Sequence, residues 1–460
     1  MADAGVLADP LPAVTGASLR AARRTAGLAL VWLVVLGNAA AIVWLWAHGG
    51  NLHVTSAGQL LTSIARITGL LGAYLALIQV ILLARVAPLE RLVGFDRLTV
   101  WHRWNGHATF DLVIVHVVTS VWGYALLDRY SVPKELSTML GGGVYPGMIT
   151  ATIGTVLLAA VVGTSYTIAR RRLPYEWWYA VHLLAYAAIA LAWFHQIPTG
   201  NELVVDAAAD YWRALYVTAL ALLLAFRVVA PAVGYFRRGL RVAEVVPEGD
   251  GVVSMRVEGR GVERIRARPG QFFLWRFLRR GWWRSAHPFS LSAAPDGRSL
   301  RITVKSLGDH TARIAAIPVG TRVLAEGPFG VFTAASRRRE KVLLVAGGIG
   351  ITPIRALLEE LRGDVVVVYR AVSAGELVLR DELHELRART GFVLHEVVGD
   401  HRTAEGQALL DAAHLRALVP DLDDRDVYLC GPPGLANHVV RALRSAGVPR
   451  RHLHVERFAL

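Results

Sequence analysis

The sequence predicts a multidomain membrane protein: a six-helix transmembrane bundle, then an antiparallel β-barrel, then an α/β domain built on a parallel sheet. Three observations predict it. Six apolar runs occupy the first half of the 460 residues. Four histidines fall in two matched pairs inside those runs. After Arg241 the pattern changes to short strand-like runs punctuated by Pro and Gly, and from Lys341 strands alternate with helices.

Composition supports the division. The chain is 54% apolar with 13 Trp, and the average conceals a split near Val233, beyond which the sequence has the mixture of a soluble protein. The net charge of +14 lies largely in arginines at the ends of apolar runs, where membrane topology accounts for it. No basic and aromatic reader motif accompanies that charge, so nucleic acid is not an expected partner. Cys430 is the single cysteine, which excludes disulfides and thiolate metal clusters within one chain. The first apolar run is too long for a cleavable signal and lacks a small-residue cleavage site.

Residues 1–26 form an Ala- and Pro-rich leader ending near Arg20, Arg23 and Arg24. Apolar runs follow at Gly27–Ala47, Gly58–Val86, Trp104–Leu127, Gly147–Ala169, Trp177–Ile197 and Trp212–Val229. Each is near or above the ~20 residues that span hydrocarbon, and together they define a bundle domain over 27–235. Arg85/Arg91/Arg97, Arg170/Arg171/Arg172 and Arg237/Arg238/Arg241 fall on the same side as the leader. The opposite loops hold Arg129 and Lys134 with acids such as Glu202, Asp206 and Asp210. The positive-inside rule then predicts a multi-pass protein of the cell (inner) membrane with both termini cytoplasmic.

Helices three and five therefore run in the same direction. His102 and His182 are expected near the cytoplasmic face, with His116 and His195 deeper toward the outside. The spacings are 14 and 13 residues, or roughly 20 Å along each axis. Imidazole is costly to bury in lipid without a partner. Two pairs at nearly equal spacing suggest two stacked metal centres, bis-histidine haems held by His102 with His182 and by His116 with His195. Polar pairing or helix capping near headgroups suits one membrane histidine better than four. His107 matches neither spacing and is expected to be a packing residue. Fourteen residues return to within about 40° of one helix face; thirteen do not, so a kink, a π-bulge or a rotated haem must absorb the difference. Arg66, at depth in helix two, needs an anionic partner or a water-filled cavity. A haem propionate would satisfy it, and snorkelling to the interface is the alternative.

In the soluble half, runs at Leu240–Val246, Val252–Glu258, Gln271–Phe277, Leu300–Lys305 and Arg322–Glu326 favour a small antiparallel barrel over 236–335. Within it His287-Pro288-Phe289-Ser290 closes a strand. Lys305, Gly308 and Thr311 follow, a combination that can bring N–H groups and a cation to a diphosphate. The last domain, 336–460, opens with a buried strand at Lys341–Ala346. Gly347-Gly348-Ile349-Gly350-Ile351-Thr352-Pro353 comes next, then a helix at Ile354–Arg362. Glycines at a strand-to-helix turn let a dinucleotide phosphate approach the helix N-terminus. The spacing is not the usual Rossmann one, and a plain tight turn is the alternative. Further strands are expected at Val365–Tyr369, Phe392–Val397 and Val427–Leu429, with Arg380–Arg389 helical. Cys430-Gly431-Pro432-Pro433-Gly434 again ends a strand before a helix.

In this order the motifs resemble the NADPH oxidase and ferric reductase superfamily, over nearly everything from Gly27 to Leu460. The resemblance implies a ferric reductase-like transmembrane haem domain fused to a ferredoxin-reductase-like module, with FAD bound in the barrel and NAD(P)H in the α/β domain. It implies two b-type haems on His102, His116, His182 and His195. His287, Pro288, Phe289 and Ser290 would meet the flavin, with Lys305, Gly308 and Thr311 near its diphosphate. Gly347, Gly348, Gly350, Thr352, Pro353, Cys430, Gly431 and Pro432 would hold the nicotinamide nucleotide. Phe458 would stack on the isoalloxazine, and Arg370 would take a 2′-phosphate and favour NADPH over NADH. Arg66 matches an arginine that family oxidases place near the outer haem. Superoxide-producing members carry a further histidine four residues after the outer ligand of helix three. Here that position is Ser120, which argues against dedicated superoxide production.

The expected activity is that of a transmembrane oxidoreductase, passing electrons from cytoplasmic NAD(P)H to an outer acceptor such as ferric iron, O₂ or a quinone. Among its residues Ser290, Cys430, Phe458 and Arg66 are expected to stand closest to the chemistry. Two other readings remain open from sequence: a haem-free flavin reductase anchored by its helices, and a cytochrome b subunit that serves a partner protein. The His pairs weigh against the first, since a passive anchor has no use for them.

Overall fold

The computed structural model describes residues 14–141, 144–166, 172–203, 205–249, 251–283, 285–306, 311, 313–400 and 403–458. The first half of the expected leader and the loop arginines Arg170 and Arg171 lie outside them. The chain divides into two compact units, Met1–Val228 and Val229–Leu460.

The first unit is helical because its apolar sequence leaves the backbone no other partner: in hydrocarbon every N–H and C=O must be satisfied within the segment. Six described helices are long and apolar enough to cross a membrane: Ala22–Asn51, Ala57–Leu82, Arg97–Asp128, Met148–Ser165, Trp177–Thr199 and Asp206–Arg238. Each overlaps one of the six apolar runs, so the chain has the make-up of a multi-pass membrane protein. In order, α1 (Val14–Trp46) continues through a wide turn at Ala47–Asn51, where Gly50 takes a φ of +83°. Helix α2 (Ala57–Leu82) starts at Ser56, whose hydroxyl accepts from the Gln59 N–H at 3.2 Å. The short α3 (Ala87–Val93) leads into α4 (Phe95–Asp128), which stops at Arg129 in the left-handed conformation. Then come α5 (Val132–Leu140), α6 (Met148–Ser165), α7 (Tyr175–Thr199) and α8 (Asp206–Leu224), after which α9 (Ala230–Arg238) opens the second unit.

Helix α2 packs along α4, and α6 along α7. A Cβ on Gly154 of α6 would stand 2.7 Å from the Ala188 carbonyl oxygen of α7, so that approach requires a residue without a side chain. A cavity of about 780 Å³ opens among these four helices. Large apolar side chains such as Leu33, Trp104 and Val217 remain exposed on the bundle, as expected of helices in lipid.

The second unit holds three sheets. Strands β1 (Arg241–Gly249), β2 (Val252–Glu258) and β5 (Ser299–Lys305) form one antiparallel sheet in the order β1-β2-β5. Strands β3 (Phe272–Phe277), β4 (His287–Ser290) and β6 (Val323–Phe329) form another in the order β4-β3-β6. The expected barrel is therefore two small sheets rather than one closed ladder. They are joined by the isolated bridges Arg241–Arg322 and Leu291–Ile302 and by a few backbone hydrogen bonds beside them, such as Val323 N–H to the Leu240 carbonyl at 2.9 Å. Short strands, two bulges in β1 and a shift in the β3–β6 register limit the pairing. Phe273, Trp275, Met255 and Ile302 fill a single core between them.

The third sheet is parallel, in the order β11-β10-β7-β8-β9, from β7 (Lys341–Gly347), β8 (Val365–Ala371), β9 (Val393–Val398), β10 (Arg425–Gly431) and β11 (Leu453–Arg457). Strands β8 and β10 are buried along their whole length, as the unbroken Val365–Val368 run requires of strands covered on both faces. Helices α10 (Ile351–Glu360), α11 (Arg380–Thr390), α12 (Ala404–Ala408), α13 (Ala412–Leu418) and α14 (Pro433–Ser445) connect them. Charged side chains fasten the small sheets to this domain. Arg301 makes a two-pronged pair with Glu382 at 2.7 and 2.8 Å, and Arg355 reaches Glu382 at 2.8 Å.

Candidate functional site

Two features stand out, one in each unit. In the bundle, α4 carries His102 and His116 and α7 carries His182 and His195. The folded chain brings them together in the expected pairs. The rings of His102 and His182 are centred 6.0 Å apart, and those of His116 and His195 are centred 6.3 Å apart. One ion bonded at about 2 Å to a nitrogen of each ring, the usual metal–imidazole length, would separate two ring centres by roughly 6 Å. Both pairs line the 780 Å³ cavity, whose size lies within the roughly 300–1,000 Å³ of cofactor sites.

In three of the four rings the second nitrogen is occupied as a metal-bound imidazole requires. His102 Nδ1 lies 3.2 Å from the Gln79 carbonyl, His116 Nδ1 2.7 Å from the Ala65 carbonyl, and His182 Nδ1 3.3 Å from Ser165 Oγ. These contacts leave Nε2 available in three of the four rings. His195 Nδ1 is buried, with the Ala192 carbonyl of its own helix as a partner of poor geometry. Among the described residues no cluster of three or more His, Cys, Asp or Glu is suited to a metal. Each pair thus offers two axial donors and nothing more, a set that fits a haem, whose macrocycle supplies the rest. The 13-residue spacing is accommodated without a bulge: α7 is regular from Tyr175 to Thr199. The ring planes differ by 51° in one pair and 30° in the other. His107 lies 5.8 Å from the Tyr166 ring and also lines the cavity.

Arg66 lines the same cavity beside the His116 pair: the preceding residue, Ala65, holds His116 by its carbonyl. Its Nη1 donates to Asn51 Oδ1 at 2.9 Å, and Asn51 Nδ2 donates to Glu202 Oε1 at 2.6 Å. Sequence reasoning sought the anionic partner of Arg66 in a propionate. The chain itself supplies a carboxylate, one amide away and 136 residues distant in sequence.

In the second unit the sheet order reverses between β7 and β10, the switch point where open α/β sheets bind ligands. Gly348 to Gly350 form a tight turn after β7, with Gly348 at a φ of +53°. A Cβ on Gly350 would sit 2.3 Å from the Cys430 carbonyl oxygen, and one on Gly347 would strike Leu435. The turn is therefore pressed against the end of β10, bringing Gly347, Gly348 and Gly350 up to Cys430, Gly431 and Pro432. Thr352 and Pro353 begin α10, and Thr352 Oγ1 bonds the Ile349 carbonyl at 3.1 Å. The Phe458 N–H donates to the Gly431 carbonyl at 3.3 Å, and its ring packs on the core that includes Cys430. Cys430 is fully buried, and burial followed by the charge of Glu456 pushes its thiol well above the usual range. The group is held as a neutral thiol.

On β4, His287 and Phe289 stack at 5.9 Å with Pro288 between them, and Ser290 is buried with no hydrogen-bond partner for its hydroxyl. An orphaned buried hydroxyl calls for an acceptor or donor brought by a ligand. Lys305 is paired with Glu376 at 3.0 Å, so a diphosphate would have to share it. Thr311 is half-buried, and Gly308 lies outside the described residues. Arg370 is turned inward: its guanidinium donates to the carbonyls of Ala371, Val397 and Gly406, the latter two at 3.4 Å. Holding a 2′-phosphate would require it to leave them.

The family model for a ferric reductase like transmembrane component matches residues 68–193, and that for an oxidoreductase NAD-binding domain matches 344–441. The chain thus carries a ferric reductase-like transmembrane region followed by an oxidoreductase NAD-binding region. The first match contains His102, His116 and His182 and ends just before His195; the second contains every glycine of the nucleotide turn. A flavohemoprotein of Vibrio cholerae is 31% identical over 188 residues, covering 38% of this ferric reductase-like chain and 47% of that protein. The ferredoxin reductase component of 3-ketosteroid-9-alpha-monooxygenase from Mycolicibacterium smegmatis is 34% identical over 233 residues, 48% of this chain and 65% of that protein. An NADPH oxidoreductase of Mycobacterium tuberculosis is 31% identical, over 42% of this chain and 52% of that protein. The chain thus spans roughly half to two thirds of the length of these curated relatives.

Proposed function

We propose that the chain is a transmembrane oxidoreductase that carries electrons from NAD(P)H through FAD and two bis-histidine haems to an acceptor on the opposite side of the membrane. The observation that carries this reading is the pair of imidazole couples, 6.0 and 6.3 Å between ring centres, facing one another across a single cavity. When bound, the flavin supplies conversion of a hydride into single electrons and the haems supply outer-sphere transfer. The chain's own residues do the positioning. Gly347 to Gly350 present backbone N–H groups to a dinucleotide phosphate at the switch point, Ser290 offers its hydroxyl to the flavin, and Phe458 covers the ring. Carbonyls of Gln79 and Ala65 fix the orientation of His102 and His116.

The arginine distribution supports cytoplasmic termini and an inner position for the His102–His182 couple. With two imidazoles held for each haem, the acceptor would be one that takes electrons without binding the iron. A dithionite-reduced minus oxidised spectrum with haem quantitation tests the proposal. Two low-spin b-type haems per purified chain are expected; one or none would remove the relay.

A further inference from the structure

The loop carboxylate Glu202 has no part in the relay as drawn, yet it is only 6% exposed, and so is Asn51. Burial of a carboxylate is costly unless it is paired and hydrogen-bonded. Its Oε1 accepts from Asn51 Nδ2, and the same Nδ2 reaches the Trp46 carbonyl at 2.8 Å. Those bonds fix the direction of the amide, so Oδ1 must face Arg66, from which it accepts. The Asn51 carbonyl is in turn held by Ser63 Oγ at 2.6 Å, and the whole turn is set by Gly50 in the left-handed region. A Cβ on Gly49 would stand 3.2 Å from Glu202 Cγ, so the carboxylate is packed in behind the amide. Only one of the five guanidinium N–H donors is used in the Asn51 bond. Arg66 is half-buried and lines the cavity one residue from the carbonyl that holds His116.

We propose that Asn51 and Glu202 are positioning residues that hold Arg66 as a carboxylate-binding site at the His116–His195 end of the cavity. The planar fork matches a carboxylate in two-pronged fashion. Glu202, placed behind the amide rather than beside the guanidinium, lowers the cost of keeping Arg66 at depth without occupying its free donors. Two sources present this chemistry there: a propionate of the resident haem, or the carboxylates of an incoming chelated acceptor. The inference rests on the proposed relay for the haem at this end and for placing the acceptor there.

The test uses full-length holoprotein in phosphatidylcholine nanodiscs. Binding of redox-inert gallium(III) citrate is measured by titration calorimetry, and the haem midpoint potentials by spectroelectrochemistry. If the carboxylate is that of an acceptor, Asn51→Ala weakens citrate binding at least fivefold with both haems retained. If it is a propionate, wild-type protein does not bind citrate and Asn51→Ala shifts one midpoint potential alone. Either result supports the site. Glu202→Ala should follow Asn51→Ala, whereas Glu202→Gln, which keeps an acceptor for the amide, should recover most of the effect. Where Asn51→Ala does not fold, the contrast between the two Glu202 variants carries the test. Variants with full haem content, citrate affinity within twofold of wild type and both potentials unchanged would overturn the proposal. Citrate binding without reduction of ferric citrate by NAD(P)H would support the site while removing the relay; reduction untouched by any of these variants would do the reverse.

Discussion

The bundle and the nucleotide domain build their sites from opposite materials. In the bundle the backbone is mostly helix, and the proposed chemistry resides in a few side chains: His102, His116, His182, His195 and Arg66. In the α/β domain the cradle is backbone, the turn Gly347–Gly350 pressed on the Cys430 carbonyl, while the charged side chains serve as scaffold. Asp426 illustrates the second role. It is fully buried at the start of β10, accepting from His452 Nδ1 at 2.6 Å and from the N–H groups of Arg338 and Arg339. The difference teaches where mutational sensitivity belongs: in lipid, at side chains that leave the helix; at a strand end, at positions that must lack a side chain.

The sharpest way to break this comparison is at His116. His116→Leu should remove one of the two haems outright while NAD(P)H oxidation by artificial dyes at the flavin continues; pyridine haemochrome quantitation decides it, and two haems remaining would refute the ligand assignment. Asp426→Asn should cost roughly 3 kcal/mol of stability without altering the KM for nucleotide. Its pH dependence has a definite sign. Burial would raise the Asp426 carboxyl, but the His454, Arg338 and His452 contacts hold it down at about 2. The folded value lies below the ordinary ~3.9. The contribution is thus complete above about pH 4 and fades as pH falls toward 2. Thermal melts of wild type and variant should converge at acid pH; a constant gap would contradict this assignment.

Smaller effects refine the same contrast. Gly350→Ala should weaken nucleotide use about tenfold, near 1.4 kcal/mol, because its Cβ forces the turn off β10; an unchanged KM would mean the turn is not the cradle. Arg370→Ala should be the mildest, about 1 kcal/mol from lost carbonyl contacts, with the ratio of NADPH to NADH use shifting less than twofold. A tenfold shift would show that the side chain leaves its carbonyls to meet a 2′-phosphate.

Legibility followed the same divide. The six spans were plain in the apolar runs, and the histidine couples in the 14- and 13-residue spacings, because a regular helix converts spacing into position. The Gly347–Gly350 turn was visible because glycines at a strand end have few other uses. What sequence could not convey was long-range pairing. Nothing in Asn51 or Glu202 announces the other; Glu202 looked like one acid in a loop of acids that marks topology. Lys305 and Arg370 are cations in suggestive places in the sequence, but Glu376 and three carbonyls claim them in the fold. The two small sheets likewise show that strand count and spacing do not determine whether a ladder closes, since that depends on bulges and register.

Cys430 carries one more consequence. Its sulfur is sealed beneath the contact between the glycine turn and β10 and shares a core with Phe458. An alkylating reagent can meet it only when that contact parts, and only after the proton is lost. As the single cysteine of the chain, it is a built-in clock: its labelling rate at fixed pH counts how often the nucleotide cradle breathes. Slower labelling with NAD(P)H present would time the grip of the coenzyme directly, in a membrane protein that needs no engineered probe.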